Sequence, residues 1–110
     1  MAMSACGLFV PRPEKALKLA RETAAMSRVR AILSAETQHF ASFDRYGTLA
    51  ELGAAGMIPP ALASGKLDEY VFAVTLKPKG FEMTATPVDS SMRKFSSDES
   101  LEIHETKPAN

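Results

Sequence analysis

The chain has 110 residues, the length of one small domain, and its 13 Lys and Arg are balanced by 13 Asp and Glu. Zero net charge provides no electrostatic field for tracking phosphates, so no nucleic-acid partner is expected. The single cysteine excludes an internal disulfide and a cysteine-based metal framework. A domain of this size holds one modest core, and the sequence has no phosphate-binding loop, nucleophile elbow or dinucleotide fingerprint. We therefore expect neither an enzyme nor a bound cofactor.

Residues 1–13 are predicted to form an extended tail or linker. Small and apolar residues without periodicity fill positions 1–10, and Pro11 and Pro13 then break the backbone. Folded structure is expected over residues 14–105, and residues 106–110 are expected to form a disordered tail. No apolar run reaches the roughly 18 residues of a membrane span, so no transmembrane segment is predicted in the chain as given.

A long helix is predicted from Glu14 to about Phe43, because this stretch is rich in helix-forming residues and lacks glycine and proline. Apolar residues recur along it at helical spacing: Leu19, Met26, Val29, Leu33 and Phe40. Glu36 interrupts this stripe with a single charge. Because the first turns are largely polar, we expect only the second half of the helix to pack on the domain and the first half to project.

The helix is expected to close at Tyr46-Gly47 and to lead into a connecting segment over residues 48–65. Glycines and the Pro59-Pro60 pair prevent a continuous helix across this segment. Thr48 is the predicted N-cap of a short helical turn at its start.

After residue 66 the apolar period changes from that of a helix to that of a strand. Alternating runs at residues 70–76 and 81–85 flank the turn 77–80, which predicts a β-hairpin. A third strand is predicted at Met92–Phe95 and a fourth around Leu101 and Ile103, separated by a polar turn. The predicted fold class is α+β, with the long helix packed on a three- or four-stranded antiparallel sheet.

Three segments resemble a known family in their order along the chain. They are the helix end ETAAMSRVRAILSAETQHFASFDRYGTLAEL, the hairpin LDEYVFAVTLKPKGFEMTATPV and the turn MRKFSSDES. Together they span roughly residues 22–105 and resemble the globular part of bacterial type IV pilin-like proteins and type II secretion pseudopilins. The resemblance implies a structural protein that contacts envelope, secretion or pilus proteins.

The sequence departs from this family in two places. The family's apolar N-terminal stem anchors the subunit in the membrane, whereas Lys15, Lys18 and Arg21 stand in the corresponding turns. Each charge would cost on the order of a few kcal/mol in lipid, which argues against an ordinary pilus subunit. We expect the partner surface to be the first half of the helix, with Lys15, Lys18 and Arg21 as its contacts, or the exposed edge of the sheet. The alternative is that the three cations form only a solvated helix face. In addition, Leu101 replaces the family's glycine after the Asp-Glu-Ser turn, which predicts a different turn shape.

Residues 3–7, MSACG, resemble the lipobox of bacterial lipoproteins. The resemblance implies lipid attachment at Cys6, membrane contact only through that lipid, and a periplasmic or cell-envelope location. A full signal peptide would need a charged start and an apolar run before this segment, so the prediction assumes a longer precursor. The alternative is an inert tail cysteine.

The remaining candidates favour structural roles. His39 and His104 lack metal-ligand spacing and are predicted to be surface or rim residues, so no metal site is expected. Asp98 is predicted to form a turn, and calcium binding near it is the alternative. Two other functions stay open: a trimmed minor subunit of a type IV pilus or type II secretion assembly, and a soluble small binding module or enzyme.

Overall fold

The computed structural model of the protein describes residues 13–107, and its α+β fold confirms the predicted class. The helices are α1 (Pro13–Phe43), α2 (Leu49–Ala54) and α3 (Pro60–Ala63). The strands that follow are β1 (Lys66–Leu67), β2 (Tyr70–Lys77), β3 (Gly80–Pro87), β4 (Lys94–Asp98) and β5 (His104–Thr106). Pro13 and Thr106 therefore belong to regular elements and not to the predicted tails, whose other residues lie outside the described range except for Lys107.

Helix α1 runs over 31 residues and confirms the predicted long helix. Its buried face consists of residues at helical spacing: Ala25, Val29, Ile32, Leu33, Ala35, Glu36 and His39. The predicted apolar stripe is wrong at both ends, since Leu19 is 61% exposed and Phe40 is 43% exposed. The buried part of α1 begins at Ala25, so Leu19 lies outside the core.

Two short helices connect α1 to the sheet. Helix α1 ends at Phe43, as predicted, and Asp44 follows it in the left-handed conformation, with φ of 58°. The predicted N-cap is confirmed: the Thr48 hydroxyl accepts from the Glu51 N–H at 3.1 Å, and the Glu51 carboxylate accepts from the Thr48 N–H at 2.9 Å. Gly53 allows α2 and α3 to touch, because a Cβ there would stand 2.5 Å from the Cβ of Ala63.

The strands form one sheet in the order β1-β2-β3-β4-β5, with neighbouring strands antiparallel. The predicted hairpin is confirmed as β2 and β3, with Lys77 opposite Gly80 at the turn. The sheet has five strands, not three or four, because Asp68 and Glu69 at positive φ form a two-residue turn that pairs β1 with β2. This pair lacks the glycine that usually signals such a turn in a sequence.

The last two strands lie closer to the C-terminus than predicted. Strand β4 replaces the predicted strand Met92–Phe95 and extends through much of the predicted polar turn, and β5 begins after Leu101. Ser97 explains the difference, because it is buried and its hydroxyl donates to the carbonyl oxygen of Glu102 at 2.5 Å. A serine whose hydroxyl is hydrogen-bonded can face a core, so the polar sequence did not prevent strand formation.

The core lies between α1 and the inner face of the sheet. The sheet contributes aromatic and apolar side chains: Tyr70, Phe72, Phe81, Met83, Ala85 and Phe95. The Tyr70 hydroxyl donates to the carbonyl oxygen of Arg93 at 2.6 Å, and burial raises the pKa of Tyr70 to about 12. Within residues 13–107, no helix is both long and apolar enough to cross a membrane.

Candidate functional site

The first half of α1 carries the three predicted partner-contact residues and lies before the core begins. Lys15 is exposed, and Lys18 and Arg21 are partly covered. Lys18 stands about three helical turns before the buried Val29, so the two residues share a helix face. Its Nζ lies 3.6 Å from the Oδ2 of Asp89 in the loop between β3 and β4. One of the three cations is therefore engaged within the chain.

A second contact joins this half of α1 to the same loop between β3 and β4. The Glu22 carboxylate accepts from the backbone N–H of Arg93 at 2.8 Å. Nearby, a cavity of about 260 Å³ opens between α1 and the last two strands, with Leu19 and Phe95 in its lining. Leu17 and Leu19 are 50% and 61% exposed. The first half of α1 is thus bound to the rest of the domain on one side and leaves Leu17 and Leu19 exposed to solvent.

Glu36 is fully buried on α1. Its Oε1 accepts from the backbone N–H of Gly47 at 2.8 Å, whereas its buried Oε2 has no hydrogen-bond partner within the described part of the chain. Burial raises the pKa of this carboxyl, against the opposing effects of the Gly47 N–H and of His39. Glu36, which interrupts the apolar stripe in the sequence, therefore lies in the core and binds the backbone N–H of Gly47 there.

His39 is only 3% exposed, so the predicted surface or rim position is wrong. Its Nδ1 lies 2.7 Å from the carbonyl oxygen of Arg45 and donates to it, because a carbonyl only accepts. The ring packs on Gly47, where a Cβ would lie 3.0 Å from Nε2. Glu36 and His39 together hold the segment 45–47 against α1. Their three-residue spacing, in line with Ile32, is the sequence signal that would have placed His39 inside.

A groove opens where the end of α1 meets the turn of the β2–β3 hairpin, and we name it the basic groove. Its volume is about 420 Å³, and its apolar lining comes from Phe40, Tyr46 and Leu76. The Tyr46 ring is fixed between two others, with centroid distances of 4.8 Å to both Phe40 and Phe81. The charged residues in the lining are Asp44, Arg45, Lys77 and Lys79. The sequence does not reveal this groove, because its residues come from two segments, 40–46 and 76–80, that only folding brings together.

The turn between β4 and β5, residues 98–102, stands beside the basic groove, and we name it the acidic turn. The Glu99 carboxylate accepts from the Phe81 N–H at 3.1 Å. The Asp98 carboxylate accepts from the Ser100 N–H at 2.9 Å, which confirms Asp98 as a turn former. Hydrogen bonds to Ser100 lower the pKa of Asp98, so this carboxylate stays charged at neutral pH.

Leu101 projects from the acidic turn in a strained conformation. Its φ is 68°, a value that glycine adopts freely and that costs other residues roughly 1–2 kcal/mol. Its side chain is 47% exposed, so burial within the chain gives little compensation. The position where the resembled family has glycine therefore carries a strained, outward apolar residue.

The other sequence predictions concern His104, a metal site and Cys6. His104 lies exposed on β5, as predicted. Among residues 13–107, no group of three or more His, Cys, Asp and Glu side chains is arranged to hold a metal ion. The predicted lipid-attachment residue Cys6 lies outside the described residues.

The fold defines the protein as an α+β domain with one long helix on a five-stranded antiparallel sheet. Comparisons with protein-family models, curated proteins and solved structures give no match to the chain. The surfaces described above and the sequence resemblance are therefore the features that bear on function.

Proposed function

We propose that the protein is a non-enzymatic interaction protein of the bacterial cell envelope, a pilin-like or pseudopilin-like domain that acts by protein contact. The observation that carries this proposal is the division of α1. The second half packs on the sheet, whereas no residue before Ala25 is buried in the described part of the helix. A long helix with one covered and one uncovered half agrees with the resemblance to the globular part of these proteins.

The chemistry of the uncovered half supports binding to another protein. Leu17 and Leu19 expose apolar surface, and Lys15 and Arg21 add positive charge that favours an acidic partner. Catalysis would need polar groups that converge on an enclosed pocket. The buried Glu36 and His39 side chains instead bind backbone atoms of the segment 45–47.

The proposed envelope location is tested through Cys6, the proposed lipid-attachment site. The gene is expressed with its native upstream DNA, and cells are fractionated. We expect wild-type protein in the envelope fraction with an intact mass that includes lipid, and the Cys6→Ala variant in the water-soluble fraction without it. Unmodified wild-type protein would refute the lipid anchor, and its confinement to the cytoplasm would also refute the envelope location.

The helix surface is tested by reversing its charge. The triple variant Lys15→Glu, Lys18→Glu and Arg21→Glu is expected to lower partner capture roughly tenfold or more, because its negative charges would repel an acidic partner. Capture is measured in cells by crosslinking from a photoreactive amino acid at Leu17, and the adducts are identified by mass spectrometry. Pilus or secretion subunits among the adducts support the proposal.

A matched control reverses three exposed cations elsewhere: Lys66, Lys94 and Lys107. Because Lys18→Glu also opposes Asp89, a further variant adds Asp89→Lys and restores that internal pair in reverse order. Circular dichroism checks that each variant folds. Equal crosslinking in the two triple variants would show that the first half of α1 is not the contact surface.

A further inference from the structure

The basic groove has the composition of a protein-docking site. Phe40 and Leu76 are 43% and 40% exposed although both are large and apolar. Tyr46 lies in contact with Phe40 and with the fully buried Phe81, so the apolar lining is supported by the core. A rigid apolar surface of this kind binds a projecting apolar side chain without first having to reorganise.

The charges in the groove favour an acidic occupant. Three cations and one carboxylate line it, and of the cations Arg45 is paired with Glu51 at 3.3 Å. Within residues 13–107, no carboxylate oxygen lies within 4.0 Å of the amine of Lys77 or Lys79. The first half of α1 from another copy would bring further cations to this place, so like charges exclude it.

The acidic turn meets both requirements. Leu101 is an exposed apolar side chain, and Asp98, Glu99 and Glu102 are its acidic neighbours in the turn. Its positive φ belongs to the turn between β4 and β5, which the Leu101 N–H closes by donating to the carbonyl oxygen of Asp98 at 2.9 Å, and this turn leaves the side chain 47% exposed. Leu101 is therefore suited to insert into an apolar pocket with a basic surround.

The turn and the groove are neighbours at one end of the molecule, because Glu99 binds the N–H of Phe81 next to the groove residue Gly80. We infer that two copies of this chain associate through a two-fold interface, with Leu101 of each copy inserted between Phe40 and Leu76 of the other. Because the acidic turn and the basic groove are neighbours on one surface, two-fold symmetry places the turn of each copy in the groove of the other, and the contact forms twice. The pairing sets Glu102 of one copy against Lys79 of the other. The inference does not depend on the proposed envelope function.

Sedimentation velocity of the purified full chain, from micromolar to millimolar concentration, tests the inference. A reductant is present throughout, so that Cys6 cannot link two chains by a disulfide. We expect a reversible monomer–dimer equilibrium in the wild type. A monomer at every concentration overturns the inference and leaves the basic groove to a different acidic protein.

Leu101→Gly separates association from folding. Glycine accepts the positive φ, so the melting temperature is expected to stay level or rise, while the dimer dissociation constant increases roughly tenfold or more. Val88→Gly removes a comparably exposed apolar side chain, at 59% exposure, and is expected to leave that constant unchanged. An unchanged dimer in Leu101→Gly overturns the inference.

The proposed contact between Lys79 and Glu102 is tested by exchanging their charges. Lys79→Glu is expected to weaken the dimer, and Lys79→Glu combined with Glu102→Lys is expected to restore it, because the pair is rebuilt across the interface. Lys66→Glu, at an exposed position on β1, serves as the control and is expected to have no effect. Failure of the double variant to recover any affinity counts against the proposed pairing.

Discussion

Replacing Phe81 with alanine is expected to lower the free energy of unfolding by about 3–5 kcal/mol, the range for aromatic side chains removed from a core. Phe81 is fully buried on β3, a strand paired on both sides, so its neighbours have little freedom to close the resulting cavity. Urea denaturation followed by circular dichroism measures the change. Because Tyr46 packs on Phe81 at 4.8 Å, the same variant is expected to loosen the basic groove.

Phe43→Ala is the matched control for that variant. It removes the same side chain at a position that is 53% exposed at the end of α1, and we expect a loss of about 1 kcal/mol. Comparable losses in the two variants would mean that Phe81 does not occupy the centre of the core.

Replacing Glu36 with glutamine is expected to stabilise the protein at neutral and alkaline pH by roughly 1–3 kcal/mol, because a buried charged carboxylate costs more than a buried neutral amide. Burial raises the pKa of Glu36 in the folded state above its ordinary value of 4.5. The favourable contribution of the protonated carboxyl is therefore complete below that value and is lost as the pH rises through the folded-state pKa. Glutamine keeps an oxygen for the Gly47 N–H and cannot ionise, so its advantage is expected to grow with pH.

Urea titrations of both proteins across the pH range measure this difference. Other acidic groups, such as the carboxyl of Asp98, are present in both proteins and largely cancel. Glu82→Gln, at an exposed position on β3, is the control and is expected to shift stability by less than about 0.5 kcal/mol. A stability difference between wild type and Glu36→Gln that does not vary with pH would contradict the raised pKa.

The elements that the sequence predicts correctly are those set by local patterns. Helix α1 follows from an uninterrupted run of helix-forming residues, and the β2–β3 hairpin follows from two alternating runs around the turn 77–80. The cap at Thr48 is equally local, because its partner Glu51 is one helical turn away. Strand β1 was missed because its turn lacks glycine, and β4 was misplaced because Ser97 is polar by composition although it is satisfied by a hydrogen bond.

The candidate sites depended on contacts between distant residues. Lys15, Lys18 and Arg21 lie on the half of α1 outside the core, as the polar first turns predicted, but the ion pair of Lys18 with Asp89 was not visible in the sequence. The buried position of His39 was missed because a histidine is compatible with either environment, although its helical spacing from Ile32 and Glu36 places it on the buried face.

The sequence by itself determined the α+β class, the length of α1 and the central hairpin, because periodicity and capping act between residues close in the chain. Only the tertiary structure decided which charges are buried, which apolar residues stay exposed and where the basic groove forms. These features depend on segments brought together by folding, such as Phe40 beside Leu76. The energy of a polar or apolar group depends on those neighbours, so its role is decided when the chain is packed.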